Sequence, residues 1–294
     1  MLDLLSPTLL LTALTLASIY ALIALGLNLI YGTLRLLNVA HGEVMMVGAY
    51  LSYWMHVMWG VGTLASVFLV ILVTGFLGWV CYRTLFSKMD RYPALAARME
   101  SNSLLIFFAL AVIAQNLGVL AFSADPRSYQ YLQDIVHVAG ISVTLNRLVI
   151  LAGSVLVVAF VLFFFRRGLN GMAIRALIQN QDAASLIGIN IDRMKTVVFC
   201  AGFALAGLAG SLISMTESIT PFSGFPYTMA AFVVIILGGL GSIVGGVLGA
   251  LLLAGIEVYG SALTSPAYRS ILLYGVFIVI LFIRPQGLLG RRVA

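Results

Sequence analysis

Charge is scarce in this sequence. Only 9% of its 294 residues are Asp, Glu, Lys or Arg, while 62% are hydrophobic and the mean hydropathy is +1.11. Soluble domains carry about 25% charged residues, so this chain lacks the polar groups to wrap a core in water and must be solvated mostly by lipid. Cysteine is scarce as well. Cys81 and Cys200 lie in or at the edge of apolar runs without metal-ligand spacing, which argues against a disulfide framework or a zinc site and leaves packed thiols. The three histidines, His41, His56 and His137, form no set with a Ser, a Cys or paired carboxylates from which catalysis could be argued. No Gly-x-x-x-x-Gly-Lys-Ser/Thr is present, which excludes a P-loop nucleotide site in this chain. The net charge of +6 comes without the clustered basic and aromatic residues of a nucleic-acid surface. Its charges fall between apolar runs instead, as topology signals.

What is abundant is hydrophobic run. Apolar stretches cover about 8–30, 41–59, 61–82, 103–122, 148–165, 196–216, 228–257 and 268–283. A helix needs about 20 apolar residues to cross the hydrocarbon. The chain thus reads as a single all-α domain over 1–294, a polytopic transmembrane bundle of about eight or nine segments, some broken or re-entrant. The run from Thr8 to Ile30 is too long for a signal-peptide core and has no basic residue before it, so it is expected to stay as a membrane helix. Basic residues resist translocation. Arg83, Lys88, Arg91 and Arg98 share one connection, and Arg166, Arg167, Arg175, Arg193 and Lys195 share another; both are expected inside. Arg35 and the tail with Arg284, Arg291 and Arg292 fall on the same side if helices alternate, leaving Arg127, Arg147 and Arg269 outside. This parity puts the N-terminus outside and the C-terminus in the cytoplasm.

The parity closes only if the 228–257 run goes in and returns, with Glu217–Tyr227 and Glu257–Tyr268 both facing outward. Thirty residues cannot make two full spans at about 1.5 Å each. The break belongs at Gly238-Gly239-Leu240-Gly241-Ser242, ahead of Gly245, Gly246 and Gly249, where glycine weakens helix and permits close backbone approach. Two short half-helices meeting near Gly239 are expected, the alternative being one tilted helix packed through small residues. Tyr31 to Trp54 looks like a counterpart, carrying Asn38, His41, Gly42 and Glu43 into an apolar stretch. Ionisable groups there normally face an interior or a water-filled path, so His41 and Glu43 are functional candidates. In the structural alternative Asn38 caps the next helix, His41 donates to a carbonyl and Glu43 pairs with Arg35.

The connection from Arg166 to Lys195 is too long for a simple link. Ile174, Leu177 and Ile178 recur at helical spacing, with Arg175, Gln179 and Asp182 on another face. Gln179-Asn180-Gln181 breaks this amphipathic helix. Asp182 can then cap a very short helix through Ala183 and Ala184 that Gly188 ends in the left-handed conformation. Such an element is either a handle for a partner or an interfacial helix lying on anionic lipid.

Asp182-Ala183-Ala184 followed by Gly188 resembles the Glu-Ala-Ala-x-x-x-Gly loop of bacterial ATP-binding-cassette importer permeases, with Asp in place of Glu. Asn38-Val39-Ala40-His41-Gly42-Glu43, Arg175-Ala176 through Gly188-Ile189-Asn190, and Gly238-Gly239-Leu240-Gly241-Ser242 with Gly245-Gly246 together resemble the branched-chain amino acid permease family, in order and spacing over nearly the whole chain. The resemblance implies import of a small polar solute across the inner membrane. It implies a second homologous permease, two cytoplasmic ATPases that bind ATP and magnesium in place of any cofactor here, and a periplasmic solute-binding protein. Arg175, Asp182, Ala183, Ala184 and Gly188 would form the coupling loop. Asn38, His41, Glu43, Gly238, Gly239, Gly241 and Ser242 would flank the pathway, with none of them catalytic. Asn102–Phe122 and Ser123–Asn146 depart from the well-known leucine/isoleucine/valine members, and related permeases carry urea, short amides or other carboxylic acids. A self-sufficient secondary transporter or channel using His41 or Glu43 is the rival class.

Overall fold

Inside a bilayer a backbone must satisfy its own polar groups, and helices do so within one segment. The computed structural model describes residues 6–89, 92, 98–138, 140–283 and 287–288, and these are mostly helical. Arg91, Arg284, Arg291 and Arg292 lie outside the described residues.

The helices are α1 (Pro7–Leu34), α2 (His41–Trp59), α3 (Thr63–Cys81), α4 (Met99–Phe122), α5 (Leu145–Arg167), α6 (Leu169–Gln179), α7 (Gln181–Leu186), α8 (Ile191–Ile213), α9 (Gly224–Gly238), α10 (Ile243–Leu263) and α11 (Arg269–Ile283). A π turn at Tyr82–Phe86 carries α3 on to Met89. Among the described residues six helices, α1, α3 with its extension, α4, α5, α8 and α10, are long and apolar enough to cross a membrane, and α9 and α11 are shorter apolar helices. The expected polytopic bundle is therefore present.

Two helices form its axis. α1 packs on α10, α8, α9 and α5, while α8 packs on α3, α2 and α1, and these two are the most buried spans. The outer helices turn large apolar residues outward, among them Phe68, Phe76, Leu105, Leu120, Leu156, Phe160 and Phe163. Such a surface would aggregate in water and is what lipid solvates. Small residues let the axis close. A side chain at Gly48 or Gly210 would collide with the backbone of Gly207 or Met45, and Gly26 and Gly202 meet face to face between α1 and α8.

Two expectations need correcting. The 228–257 run does break, at Gly239–Ser242, but α9 starts at Gly224 and α10 extends to Leu263, so α10 is a 21-residue helix and no half-helix. Polar neighbours such as Thr228 and Glu257 fit within these helices because other helices bury and bond them. Glu257 therefore lies inside α10, 2% exposed, and does not open an outward loop. The all-α class stands, with one small hairpin beside the helices: β1 (Ile135–Val138) and β2 (Ile141–Thr144) pair antiparallel, with Ile135 opposite Thr144. Outside the helical bundle a hairpin satisfies the backbone as well as a helix does.

At the hairpin end, the 123–144 connection is laced to the bundle. The Tyr129 hydroxyl lies 2.8 Å from both Thr63 and Ser214, Asn146 Nδ2 donates to the Met215 carbonyl, and Arg127 exchanges backbone hydrogen bonds with Ile219. Burial raises the pKa of the Tyr129 phenol, and its two hydroxyl partners partly offset the shift.

Candidate functional site

At the opposite end of α1 the chain turns at Gly239–Ser242. Gly239 and Gly241 have φ of 99° and 80°, the left-handed region that a side chain disfavours. Gly238 and Gly245 approach so closely across the turn that a Cβ on either would meet the other's backbone. The Ser242 hydroxyl caps α10 by accepting from Gly245 N at 3.1 Å. Asn28 of α1 clamps the turn from beside it: its Oδ1 accepts from Gly241 N at 2.6 Å and its Nδ2 donates to Ser242 O at 2.7 Å. Asn28 is buried and was not among the residues singled out from sequence. A lone Asn in a 28-residue apolar helix is the signal that could have found it.

The second interruption follows α1. Arg35 ends that helix in the left-handed conformation, and the chain through Leu36–Ala40 runs non-helical and largely buried until α2 starts at His41. Here the structural alternative holds only in part. His41 Nε2 stands 3.1 Å from the Ile23 carbonyl, which can only accept, so Nε2 carries the proton. Nδ1 is then the acceptor facing Asn38 Nδ2 at 3.5 Å. Asn38 does not cap α2, whose N-cap is Ala40, because its amide is turned to His41. Glu43 does not pair with Arg35. Its Oε1 accepts from Gln115 Nε2 of α4 at 2.8 Å, since α2 starts several residues past Arg35 and rises toward α4. Asn38 Oδ1 and Glu43 Oε2 are buried without a hydrogen-bond partner among the described residues. Gly42 presses on Gly224 and donates its N–H to Thr228 Oγ1 at 2.8 Å.

These two interruptions are not brought together. Gly26 faces His41 and Asn28 faces Gly241, and residues two apart on a helix point about 200° apart around its axis. α1 thus stands between the two segments. Their expected common border is a helix, and among the described residues no open path joins them.

The Gly239–Ser242 turn instead meets the Arg166–Lys195 connection. Of the spaced apolar residues α6 buries Ile174 and Leu177 and half-buries Ile178, and Arg175 donates to the Phe165 carbonyl at 2.6 Å, fixing α6 to the end of α5. A cavity of about 490 Å³ lies between them, lined by Arg166, Arg175, Gln179, Gly241 and Ser242. Asn180, not Asp182, caps α7, accepting from Ala183 N at 2.9 Å. The polar break itself supplies the cap, two positions earlier than a start at Ala183 requires, and Asp182 sits exposed in the first turn. Ala184 is buried, Ala183 is exposed, and Gly188 ends the unit with φ of 86°. Gln181 Nε2 donates to Thr33 O near the end of α1. Beyond the loop, Asp192 accepts from Arg83 at 2.7 Å and from Tyr82 and Ser87. Leu186 and Ile187 are left 87% and 74% exposed at the tip.

The comparison with known families decides what this arrangement belongs to. The family model described as branched-chain amino acid transport system, permease component, matches residues 9–281. The chain belongs to that permease family. It is 32% identical to the high-affinity branched-chain amino acid transport system permease protein LivH of Salmonella typhimurium, over 94% of this chain and 93% of that one. It is 30% identical to the permease protein BraD of Pseudomonas aeruginosa, over 96% and 95%, and 26% identical to LivM of Salmonella typhimurium, over 94% of this chain and 68% of that one. No solved structure matches the chain. The family match runs through 102–146, the stretch expected from sequence to depart from the well-known members. As a member of this family with long apolar helices, the chain is a multi-pass inner-membrane transport protein.

Proposed function

We propose that the chain is the permease subunit of an ATP-driven importer for branched-chain amino acids, working beside a second permease of the same kind. Two cytoplasmic ATPases would bind ATP and magnesium, and a periplasmic binding protein would deliver the solute. The relatives' names carry the substrate class, and the existence of distinct LivH and LivM relatives favours a pair of unlike permeases.

The observation that carries this reading is the α6–α7 unit. It is tied to the bundle by Arg175 and Gln181, yet it bares Leu186 and Ile187 to no neighbour. A compact element that is fixed at its root and apolar at its tip suits a partner that pushes on it. Arg35, Arg83, Lys88, Arg98, Arg166, Arg167, Arg175 and Arg193 gather at this end, against Arg127, Arg147 and Arg269 at the other, which supports a cytoplasmic placement. Motion of the unit would pass to α1 through Gln181 and Thr33 and to the Gly239–Ser242 turn through Asn28. Nothing in this chain then needs to bind nucleotide; a two-state bundle biased by its partners is enough.

Purification from native membranes tests it. Two ATPase polypeptides should accompany the wild type and be lost from a monodisperse Asp182→Arg, Gly188→Pro variant. A wild-type chain recovered alone, with solute flux in liposomes indifferent to ATP, would turn the reading to a secondary transporter.

A further inference from the structure

The hairpin end of the bundle holds a second cavity, of about 320 Å³, between α1, α5, α8, α10 and α11. That volume falls at the small end of the ~300–1,000 Å³ range of small-molecule sites. Its wall carries four charged side chains, two of each sign: Arg147 and Arg269, Glu217 and Glu257. One pair is already satisfied. Glu257 is ion-paired with Arg269 through Nε and accepts from the Tyr20 hydroxyl at 2.7 Å, with Arg269 also reaching that hydroxyl at 3.5 Å. The other pair is open to solvent. Arg147 and Glu217 are both exposed, the Arg147 guanidinium donates to the Thr12 hydroxyl at 3.3 Å, and neither has an ion-pair partner among the described residues. The remaining wall joins an aliphatic patch, Leu16, Ile19, Ile213 and Val258, to the hydroxyls of Thr12, Thr15, Thr216 and Ser261.

We propose that this cavity is the outer solute site of the permease, taking a zwitterionic aliphatic amino acid with its carboxylate on Arg147 and its ammonium on Glu217. The net charge of the wall is zero, so it offers no advantage to a simple anion or cation, whereas a zwitterion completes both unpaired groups at once. The aliphatic patch covers the side chain. Buried Glu257 and Tyr20, with the part-exposed Arg269, hold α1, α10 and α11 around the site and are a positioning set. The proposal rests on the importer reading and adds to it a solute site within this chain, so that selection would not reside in the binding protein alone.

The test uses the intact importer, reconstituted with its ATPases and binding protein and supplied with ATP. Uptake of labelled L-leucine is measured for wild type, Arg147→Gln, Glu217→Gln and Arg147→Lys, each first shown to co-purify with the ATPases at wild-type yield. We expect the two Gln variants to lose at least tenfold in uptake and Arg147→Lys to keep a substantial part. Direct binding of leucine to the chain in nanodiscs should be displaced by isoleucine and not by 4-methylpentanoate or leucinamide, which each lack one charge. Wild-type uptake with Gln variants within twofold of it would overturn the site and leave the importer reading standing. Displacement by either single-charge analogue as strong as by isoleucine would overturn the zwitterion assignment. A wild-type assembly that hydrolyses ATP and moves no amino acid would overturn both the site and the reading on which it rests.

Discussion

Asn28 uses both ends of its amide on the turn at Gly239–Ser242, whereas across α1 the break at Arg35–Ala40 leaves Asn38 Oδ1 and Glu43 Oε2 without partners among the described residues. The first break is a closed joint. Its backbone groups are bonded to α1, which the α6–α7 unit also touches through Gln181. The second is an open joint, whose buried acceptors a water or a passing N–H could complete. One helix serves both, with opposite faces devoted to a rigid linkage and to a polar interior.

The comparison breaks first if the backbone approaches are removed. At the open joint Gly42 lies against the Gly224 backbone, and at the closed joint Gly238 lies against Gly245. No rotamer relieves a Cβ that meets a carbonyl oxygen of the main chain. Gly42→Leu and Gly238→Leu should both abolish recovery of monodisperse protein in mild detergent, read by size-exclusion chromatography. Gly153→Leu, where nothing lies within 4 Å of the added Cβ, should elute as wild type. Comparable loss in all three would mean that bulk, not backbone approach, sets the limit.

Next comes the clamp. Asn28→Ala leaves Gly241 N–H and Ser242 O unpaired in a buried setting, and each unmet group costs about 1–3 kcal/mol. Unfolding by SDS titration should shift by roughly that amount, toward the lower end because membrane hydrogen bonds average about 0.6 kcal/mol in double-mutant cycles. Asn28→Asp keeps the acceptor for Gly241 and sets a second oxygen against the Ser242 carbonyl, so it should be no better than Ala. An Asp variant as stable as wild type would show that the donor half of the clamp carries nothing.

Much of this was legible beforehand. The apolar runs and the distribution of Arg and Lys gave the bundle, because lipid imposes one solution on such runs. The glycines at 238–242 marked the break, since a positive φ and a close approach leave little else possible. Gly188 and the amphipathic spacing of Ile174 and Leu177 marked the α6–α7 unit. Partnerships over long sequence distance were not legible. That Asn28 would hold Gly241, that Gln115 and not Arg35 would reach Glu43, and that α1 would separate His41 from the glycine turn depend on which helix faces which. Local spacing does not encode that. Glu257 was placed in a loop because a carboxylate in an apolar run looks misplaced until Tyr20 and Arg269 are seen beside it.

A smaller effect is expected at the α6–α7 unit. Asn180 is the cap of α7, and replacing such a cap with Ala costs about 0.5–2 kcal/mol. Asn180→Ala should speed amide exchange over 181–187 and weaken co-purification of the ATPases, while global unfolding stays near wild type because Ala184 alone in α7 is buried. Unchanged exchange would show that partner or lipid contacts, not the cap, hold the helix.

The smallest effect on stability separates the two joints most sharply. In Glu43→Gln the new amide oxygen can still accept from Gln115 Nε2, so the one bond that Glu43 makes to the protein survives. Only the unpartnered Oε2 changes, from an acceptor to an amide that donates. If that oxygen is structural spare capacity, SDS unfolding and ATP-driven leucine uptake both stay at wild-type values. If it accepts from a solute N–H or from the O–H of an ordered water, uptake falls while stability holds. A hydrogen bond to a charged group contributes about 1.5–3 kcal/mol, which makes the expected loss roughly tenfold or more. Asn28→Ala should show the reverse balance, with stability falling first. The two variants together therefore assign the polar interior to one face of α1 and the mechanical linkage to the other, and equal behaviour of both would remove the distinction.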